Sequence, residues 1–382
     1  MNAPLSWGQT ARALAVEFAA RAPAHDLDGS FPFRNFDDLH AAGLLTLAAP
    51  VAYGGQGATL GQLTDVVGAV AHGDPATALV LTMQYMQHRG MGRRHKPWPE
   101  ALARRVVQDS LQRVSLANAL RVEPELGTPA RGGLPATIAR RQPDGSWRLS
   151  GRKIYSTGAP ILSWYLVWAR TDDEQPLTGA FLVPAGLPGT RIENTWDHLG
   201  LRASGSHDIV FEDVAITADA PLELRAPTDW GQGDLLMQAE MAAFFAALYT
   251  GVARAARDWV VGFLHDRKPS SLGAALSTLP RAQEHLGQIE ALLKVNQRLI
   301  DSLVTDLEAG LEPSYADSGI VKSVTTHNAL QAVQQAVALS SNHGLARRNP
   351  LERHLRDVQC GVVHTPQDDS VHIAAGRRAL GL

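Results

Sequence analysis

Apolar residues recur every three or four positions over two long parts of the chain. Residues 9–113 contain the segments TARALAVEFAARA, LGQLTDVVGAVAHGD and EALARRVVQDSLQRV, in which alanine, leucine and valine fall on one face of a helix. The same period returns beyond about residue 230. The pattern therefore predicts a helical region in each of these two parts.

Between about residues 115 and 220 the helical period gives way to short segments rich in β-formers. SWRLSG follows an Asp144-Gly145 turn, and three further segments read as strands: SWYLVWART, GAFLVPA and SHDIVFEDVAI. We therefore expect an α+β chain, mostly α, with three domains. These are an N-terminal all-α domain over 1–114, a β-barrel or β-sandwich domain over 115–222, and a C-terminal four-helix bundle over 223–382.

The last part of the chain contains three long helical segments, 235–267, 282–310 and 318–344, with Gly344 as the predicted C-terminal cap of the third. Each could reach about 40 Å at about 1.5 Å per residue. Helices of this length pack as an antiparallel bundle, and alanine-rich faces allow two subunits to approach closely. We expect a homo-oligomer, either a dimer or a tetramer.

Composition excludes several classes of protein. The 382 residues carry 19% charged side chains and a formal net charge of −3. A nucleic-acid-binding protein is expected to be basic, so this composition does not suggest one. The single cysteine, Cys360, rules out an internal disulfide framework, and no H-x-x-x-H pattern suggests a metal site. We find neither a secretory signal nor a segment apolar enough to span a bilayer. The expected location is the cytoplasm, without nucleic-acid or membrane partners.

Two glycine-containing segments combine hydroxyls, an aromatic ring and charge. GRKIYSTGAP ends a predicted strand, and HLGLRASGSHDIVFEDVAI, residues 198–216, places several polar side chains in a turn before another strand. Glycine permits close backbone approach and positive φ, so such turns can bring several donors toward one ligand. The residues alone are equally compatible with plain surface turns.

The order of helices, strands and helices, together with four motifs, resembles the acyl-CoA dehydrogenase superfamily of flavoproteins. APVAYGGQGATLGQLTDVVGAVAHGDPATAL is similar to the family's N-terminal loop and helix, and GRKIYSTGAP to the segment that lies along the flavin. The stretch 198–216 resembles a family strand, and NPLERHLRDVQ resembles the late segment that ends in an Arg-Asp pair. The resemblance covers nearly the whole chain.

The resemblance implies a flavin, FAD or FMN, bound mainly by residues 155–158. Tyr155 would offer the ring a flat face, while Ser156, Thr157 and the backbone beside Gly158 would donate to the nitrogen that gains charge on reduction. Arg267 occupies the place of a family arginine that meets the flavin pyrophosphate, although the phenylalanine that usually follows is missing.

The family also implies a substrate channel beside the second turn. The stretch 198–216 corresponds to a channel wall in the β-domain, which makes Arg202, Ser204 and Ser206 the candidate substrate-binding residues. The substrate would be a small molecule, and an acyl-CoA is one candidate.

The position of the catalytic base departs from the family pattern. A dehydrogenase must remove an α-proton as hydride leaves, and family members use a glutamate in one of two places. The usual place reads VVHTPQDDS here and contains no glutamate. In the alternative place, on the first long helix, the nearest acid is Glu240, which lies one position out of register.

The residues in the vacated place resemble another branch of the superfamily. His364-Thr365-Pro366 is similar to a His-x-Pro segment of the reduced-flavin monooxygenases, which obtain reduced flavin from a separate reductase. His88 lies on a helix that supplies a pocket histidine in those relatives. A histidine suits proton transfer near neutral pH. His364 and His88 are therefore candidate catalytic residues beside Glu240.

Three functions stay open at this point. The chain could be a dehydrogenase acting on the CH–CH group of an acyl-CoA-like substrate, or a flavin monooxygenase. It could also be a non-catalytic flavin- or acyl-binding assembly protein of the same fold, which the missing glutamate would favour. The intact segment 153–158 favours an enzyme.

Overall fold

The structure is a computed structural model that describes residues 5–93, 98–125, 133–230 and 234–382. Its helices are α1 (Trp7–Asp28), α2 (Phe33–Ala41), α3 (Leu60–Gly73), α4 (Pro75–Met91), α5 (Glu100–Gln112), α6 (Leu235–Asp266), α7 (Pro280–Glu308), α8 (Tyr315–Ser340), α9 (Leu351–Val363) and α10 (Asp368–Ala379). Its strands are β1 (Leu116–Leu120), β2 (Ile138–Arg141), β3 (Trp147–Lys153), β4 (Leu162–Thr171), β5 (Thr178–Pro184), β6 (Thr190–Glu193), β7 (Asp208–Ile216) and β8 (Pro221–Arg225). The expected mostly α, α+β fold is confirmed.

Side-chain caps mark helix starts in the N-terminal part. Ser6 and Gln9 form a capping box at the start of α1. Asp74, in the N-terminal motif, accepts hydrogen bonds from two backbone N–H groups in the first turn of α4. The buried Asn35 donates to both Asp74 and Thr77, which ties α2 to this cap. The acidic residue of the motif therefore fixes where α4 begins.

The strands form one mixed sheet in the order β6-β7-β3-β2-β4-β5-β8, with β1 beside β4. β1 and β2 run parallel to β4, and the remaining pairs are antiparallel. Just beyond the ends of β1 and β3, the N–H of Ile154 donates to the carbonyl of Val122 at 3.0 Å. This bond brings the segment after β1 beside the segment 155–158.

A buried ion pair fixes the end of β3. Lys153 and Glu123 are almost completely buried and bond each other, and Lys153 also donates to the carbonyl of Trp168. Glu123 accepts three further bonds from the backbone N–H groups of Ala136 and Thr137 and from the Thr137 hydroxyl. Removing either partner of such a buried charge pair would leave the other charge uncompensated and would strongly destabilise the fold. The ion pair therefore fixes the end of β3, and the segment 155–158 follows soon after it.

The C-terminal helices pack as the predicted bundle around α6, α7 and α8, which are 32, 29 and 26 residues long. The prediction of Gly344 as the cap of the third helix is wrong, because α8 ends at Ser340 and Ser341 takes the positive φ of 51°. The close packing around Gly344 leaves no room for a side chain there. A Cβ there would lie 2.3 Å from the Ser340 Oγ.

Helix α6 is the innermost element of the bundle. By length and composition alone it could cross a membrane, contrary to the expectation that no segment is apolar enough, but 72% of its apolar window is buried inside the protein. Its alanines pack against α3 and α8, and one hydrophobic core continues from these helices into the sheet. An apolar helix enclosed in this way is typical of a protein core.

Candidate active site

The segment after β3 turns back through two residues with positive φ. Tyr155 has φ of 55° and Gly158 has φ of 79°. A left-handed conformation is uncommon for a bulky residue and is found mainly where the surrounding structure imposes it. The Gly158 position is close to α4, where a Cβ would lie 3.0 Å from Val80 Cγ1. The turn 155–158, which we call the flavin turn, therefore packs directly on α4.

A second turn, residues 201–207, is clamped to the flavin turn by the backbone. The N–H of Ser156 donates to the carbonyl of His207 at 3.1 Å, and the N–H of Gly158 donates to the carbonyl of Ser204 at 2.9 Å. Gly205 has φ of 55°, and a Cβ there would lie 2.8 Å from Pro160. Both turns are predicted at the site by their motifs, and the structure places them in contact.

The hydroxyls of the two turns form a short chain. Thr157 Oγ1 lies 3.0 Å from Ser206 Oγ, which lies 2.8 Å from Ser204 Oγ. Ser204 and Ser206 are buried, so their hydroxyls satisfy each other inside the protein. Ser156 differs, because its Oγ is buried and has no hydrogen-bond partner among the described residues. A buried hydroxyl without a partner is costly and suits a ligand contact.

The Tyr155 ring stands outside this hydroxyl chain. It is 55% exposed, and its neighbours Trp196 and His198 meet it edge-on at centroid distances of 6.3 and 5.9 Å. Trp196 and His198 stack on each other at 3.6 Å. Edge contacts of this kind leave a tyrosine face available for stacking. The placement agrees with the predicted role of Tyr155 as a flat surface.

Arg202 is occupied by protein contacts. Its Nε donates to the carbonyl of Asp26 at 2.7 Å, and its Nη1 donates to Asp197 and to the carbonyl of His198, each at 3.3 Å. These bonds join the second turn to α1. Arg202 therefore serves here as a tether, and a substrate would have to compete with these acceptors.

The Arg-Asp pair on α9 holds the same turn from the other side. Asp357 accepts from the N–H of Leu201 at 2.7 Å, and Arg356 binds Asp26, Glu352 and the carbonyl of Leu199. Burial raises the pKa of Asp357 to about 7. The pair thus connects the bundle to the β-domain beside the site, which explains why the motif ends in these two residues.

His364 follows α9 and lies against α6. Its Nδ1 is 2.9 Å from the Tyr249 hydroxyl, and its ring stacks on Phe245 at 4.7 Å. The Tyr249 hydroxyl is buried and must donate its proton, and Nδ1 is the partner that the described residues provide. The imidazole then carries its hydrogen on Nε2. Burial, with the charge of Lys322 as the second cause, lowers the pKa of His364 to about 4, so the ring is neutral at pH 7.

Lys322 was not singled out by the sequence because it looks like a solvated lysine on an amphipathic helix. In the fold it is completely buried on α8, and its Nζ donates to the carbonyl of Val362 at 3.3 Å, two residues before His364. Burial lowers the pKa of Lys322 to about 8, while the nearby Asp368 opposes the shift. The side chain is therefore mostly charged at pH 7.

Replacing Lys322 with methionine should raise the pKa of His364 by about one unit, because a positive charge that disfavours the imidazolium is removed. The value should stay below that of a free histidine, since burial is the larger cause of the shift. NMR titration of the His364 ring, assigned with His364→Gln, measures it. Lys294→Met, an exposed position on α7, should leave the value unchanged. An unmoved His364 pKa in Lys322→Met would contradict the account.

His88 is completely buried on α4. The Gln84 amide accepts from the N–H of Ala117 at 2.7 Å through Oε1, so its nitrogen faces His88 Nε2 at 3.0 Å. The proton of His88 then lies on Nδ1, which has no partner among the described residues. Burial lowers the pKa of His88 to about 3. His88 is a neutral histidine with one unused N–H, and its catalytic role stays a prediction.

Glu240 does not have the surroundings of a free base. Its Oε1 accepts from Arg89 at 2.5 Å and its Oε2 accepts from Arg93 at 2.7 Å, with the carboxylate 3% exposed. Arg93 also pairs with Asp234, the N-cap of α6. A carboxylate whose two oxygens both accept hydrogen bonds from guanidinium groups is held by them and is poorly placed to approach a substrate. These contacts weigh against Glu240 as the base.

The remaining predicted residue, Arg267, is exposed at the end of α6, where its backbone N–H caps the carbonyl of Phe263. Its contact with a flavin phosphate stays a prediction. Among the described residues there is no group of three or more histidine, cysteine, aspartate or glutamate side chains that could hold a metal ion.

The described contacts link the flavin turn to His364 indirectly, through side chains of α4 and α6. The flavin turn packs on Val80 of α4, and Tyr85 of α4 meets Phe244 of α6 at 6.3 Å. His364 stacks on Phe245, the next residue of α6. The arrangement combines an unsatisfied hydroxyl, an exposed aromatic ring and a neutral histidine that presents an N–H. Such a set can bind a planar cofactor and hold a proton near it.

Comparisons with known proteins show the family of the chain. The chain matches the N-terminal domain of acyl-CoA dehydrogenase over residues 6–91, the middle domain over 122–214 and the C-terminal domain over 243–368. It is 31% identical to the putative acyl-CoA dehydrogenase YdbM of Bacillus subtilis, across 96% of this chain and 94% of that protein.

One further relative is named for a different chemistry, and another is known from a structure with bound FMN. L-evernosamine nitrososynthase from Micromonospora is 28% identical across 95% of this chain and 87% of its own length. The structure of KijD3 in complex with FMN and a dTDP-linked amino sugar is 27% identical, covers 99% of this chain and 95% of its own, and superposes with a TM-score of 0.79. The resemblance seen in the sequence is thus confirmed, and the chain belongs to the acyl-CoA dehydrogenase family.

Proposed function

We propose that the protein is a flavin-dependent oxidoreductase that oxygenates a small molecule and handles protons through His364 rather than through a carboxylate base. One observation carries the proposal. At the place where the family's usual glutamate is missing, the structure has a neutral histidine, His364, whose orientation is fixed by Tyr249. Both carboxylate oxygens of Glu240 are already bound by arginines. A dehydrogenase needs a free base, whereas an oxygenase needs a proton held near the cofactor.

The flavin turn fits a flavin, and we propose FMN or FAD as the cofactor. The orphaned Ser156 Oγ can donate to the ring, and the exposed Tyr155 ring offers a stacking surface. When bound in its reduced form, the flavin would supply the electron pair that reduces dioxygen. The relative KijD3, whose structure contains FMN, supports this assignment. A separate flavin reductase would deliver the reduced cofactor.

His364 then acts through a defined proton. Tyr249 donates to Nδ1, so Nε2 carries a hydrogen that can be donated to an oxygen atom in the cleft. The low pKa keeps the ring neutral, so the histidine donates a hydrogen bond without carrying a full charge. Stacking on Phe245 fixes the plane of the ring. His88 offers a second buried N–H on α4 for the same region.

Replacing Ser156 with alanine should weaken flavin binding without lowering stability. The hydroxyl makes no hydrogen bond to the described residues, so the protein loses none, whereas the flavin loses about 1 kcal/mol, roughly fivefold in affinity. Fluorescence titration with FMN and FAD measures the affinity. Ser204→Ala is the matched control, because that buried hydroxyl bonds Ser206 and should affect stability more than affinity. Equal flavin affinity in wild type and Ser156→Ala would remove Ser156 from the site.

An acyl-CoA dehydrogenase is the second candidate, favoured by the similarity to YdbM. Mixing the flavin-loaded protein anaerobically with butyryl-CoA distinguishes the two, because a dehydrogenase bleaches the visible absorbance of its oxidised flavin. We expect no bleaching. Rapid bleaching would overturn the oxygenase proposal, and a protein that binds neither flavin would support a non-catalytic assembly role.

We further propose that the protein forms a dimer or tetramer through its C-terminal helices. Apolar side chains remain exposed on α8 and α10, including Ile320, Val324 and Ile373. Burying such side chains favours association. A mass near that of one 41.0 kDa chain in light scattering would contradict this.

A further inference from the structure

One arginine beside the flavin turn has no carboxylate partner in the part of the chain that the structure describes. Arg121 directly follows β1, the strand in which Asn118 donates to the carbonyl of Thr157 at 3.0 Å. The next residue, Val122, accepts the hydrogen bond from Ile154. Arg121 therefore lies between Asn118, which binds the flavin turn, and Val122, which binds Ile154 just before that turn. The backbone at Arg121 therefore runs beside the flavin turn.

The guanidinium of Arg121 rests on an aromatic ring. Its Cζ lies 4.6 Å from the centroid of Trp168, and Trp168 meets Trp230 edge-on at 4.7 Å. The Trp230 Nε1 donates to Thr178 at 2.8 Å, which fixes the second ring. Stacking on tryptophan orients a guanidinium and leaves its N–H groups free to bind a planar anion with two parallel hydrogen bonds. The cation is thus held in place before any ligand arrives.

Arg121 forms no ion pair among the described residues. Within the described ranges no carboxylate oxygen lies within 4.0 Å of it, and Asp234, whose charge acts on it, already pairs with Arg93. The segments outside those ranges, 1–4, 94–97, 126–132 and 231–233, contain no aspartate or glutamate in the sequence. Side-chain carboxylates of this chain are therefore not the partners of this charge.

Arg121 is both solvent-accessible and partly desolvated. The side chain is accessible to solvent, yet the surrounding protein desolvates it enough to lower its pKa. A guanidinium that is both reachable and partly desolvated binds an anion more strongly than one in bulk water, because the effective dielectric constant is lower. An unpaired arginine on the open surface would gain much less.

Arg225 provides the internal comparison. It stacks on Trp230 with its Cζ 5.2 Å from the centroid, at the other end of the same aromatic pair. Unlike Arg121, it has its own carboxylate, because Glu223 pairs with it on β8. Two arginines therefore share one Trp168–Trp230 platform, and the one beside the flavin turn is the one left unpaired.

We infer that Arg121 is a binding site for an anionic group beside the flavin turn. The inference rests on the flavin site proposed above, and it adds a class of ligand. The anion comes either from the reduced flavin ring, which carries a negative charge that the oxidised ring lacks, or from a carboxylate or phosphate of the substrate. Both sources bind the same guanidinium through charge-assisted hydrogen bonds.

Arg121→Gln tests the site, with Arg225→Gln as the matched control. The first arm measures the dissociation constants of oxidised and reduced FMN under anaerobic conditions. If reduced flavin is the anion, Arg121→Gln should weaken reduced FMN by roughly tenfold or more, the loss typical of a charged hydrogen bond, and leave oxidised FMN unchanged. Arg225→Gln should change neither.

The second arm titrates the flavin-free protein with benzoate and with inorganic phosphate, followed by the fluorescence of the tryptophans. If the substrate supplies the anion, one of these probes should quench wild type and Arg225→Gln but not Arg121→Gln, while the FMN affinities stay equal. Circular dichroism and thermal melting check that the variants are folded. If both arms are the same in wild type and Arg121→Gln, the site does not exist. A wild type that binds neither form of flavin would contradict the proposed function, and the second arm would still decide the anion site.

Discussion

Glu240→Ala should lower the free energy of unfolding by about 3–5 kcal/mol, the cost of leaving a buried charge without its partner. The substitution removes the carboxylate partner of Arg89 and one of the two carboxylate partners of Arg93, and these side chains are 24% and 12% exposed. Denaturant unfolding of the flavin-free protein measures the loss. The expected result follows from the geometry, in which this carboxylate joins α4 to α6.

Glu290→Ala is the matched control for that experiment. Glu290 pairs with Arg257 elsewhere in the bundle, but its side chain is half exposed, so its removal should cost less than about 1 kcal/mol. If Glu240→Ala is as stable as wild type while turnover falls, Glu240 would be a catalytic base and the role given to it here would be wrong.

His364→Ala should lower product formation by about two to four orders of magnitude, the range for loss of a group that positions a proton. The oxygen consumed should then appear as hydrogen peroxide, because no N–H would remain at that place to direct the proton. Measuring oxygen uptake, hydrogen peroxide and product in one reaction with a reductase and FMN gives the coupling ratio. His372→Ala, an exposed histidine on α10, should keep the coupling of wild type.

The same residue predicts how activity depends on pH. Because burial and Lys322 hold the pKa of His364 near 4, the ring stays neutral as pH falls through 6.5, where a free histidine takes up a proton. Activity that depends on the neutral form of His364 should therefore persist to about pH 5 and fall only as the pH approaches 4. An acid limb near pH 6.5, or full coupling in His364→Ala, would show that another group handles the proton.

Much of the fold could be read from local sequence. The apolar period predicted the long helices within a few residues of their observed ends, and the capping box at Ser6 and Gln9 is visible as a pattern. The Tyr155–Gly158 turn and the second turn were both expected near the site, because glycine and hydroxyl residues in these motifs resemble a known family.

The residues that decide the chemistry were less visible because their environment depends on distant parts of the chain. Glu240 pairs with arginines about 150 positions earlier in the chain. No spacing rule could therefore show from the sequence that its carboxylate oxygens are already bound. Lys322 looks solvated in the sequence and is buried in the fold, and Tyr249 looks like one more apolar residue of α6 until His364 meets its hydroxyl. Burial and pairing across the fold set the roles of all three.

The central claim, a flavin oxidoreductase of the oxygenase branch, is tested most directly by the affinities of the wild-type protein for reduced and oxidised FMN and FAD, measured anaerobically side by side. We expect a marked preference for the reduced form, because a cofactor delivered by a separate reductase must be captured in that state. Tight retention of oxidised FAD with no preference for the reduced flavin would contradict it and point to a dehydrogenase.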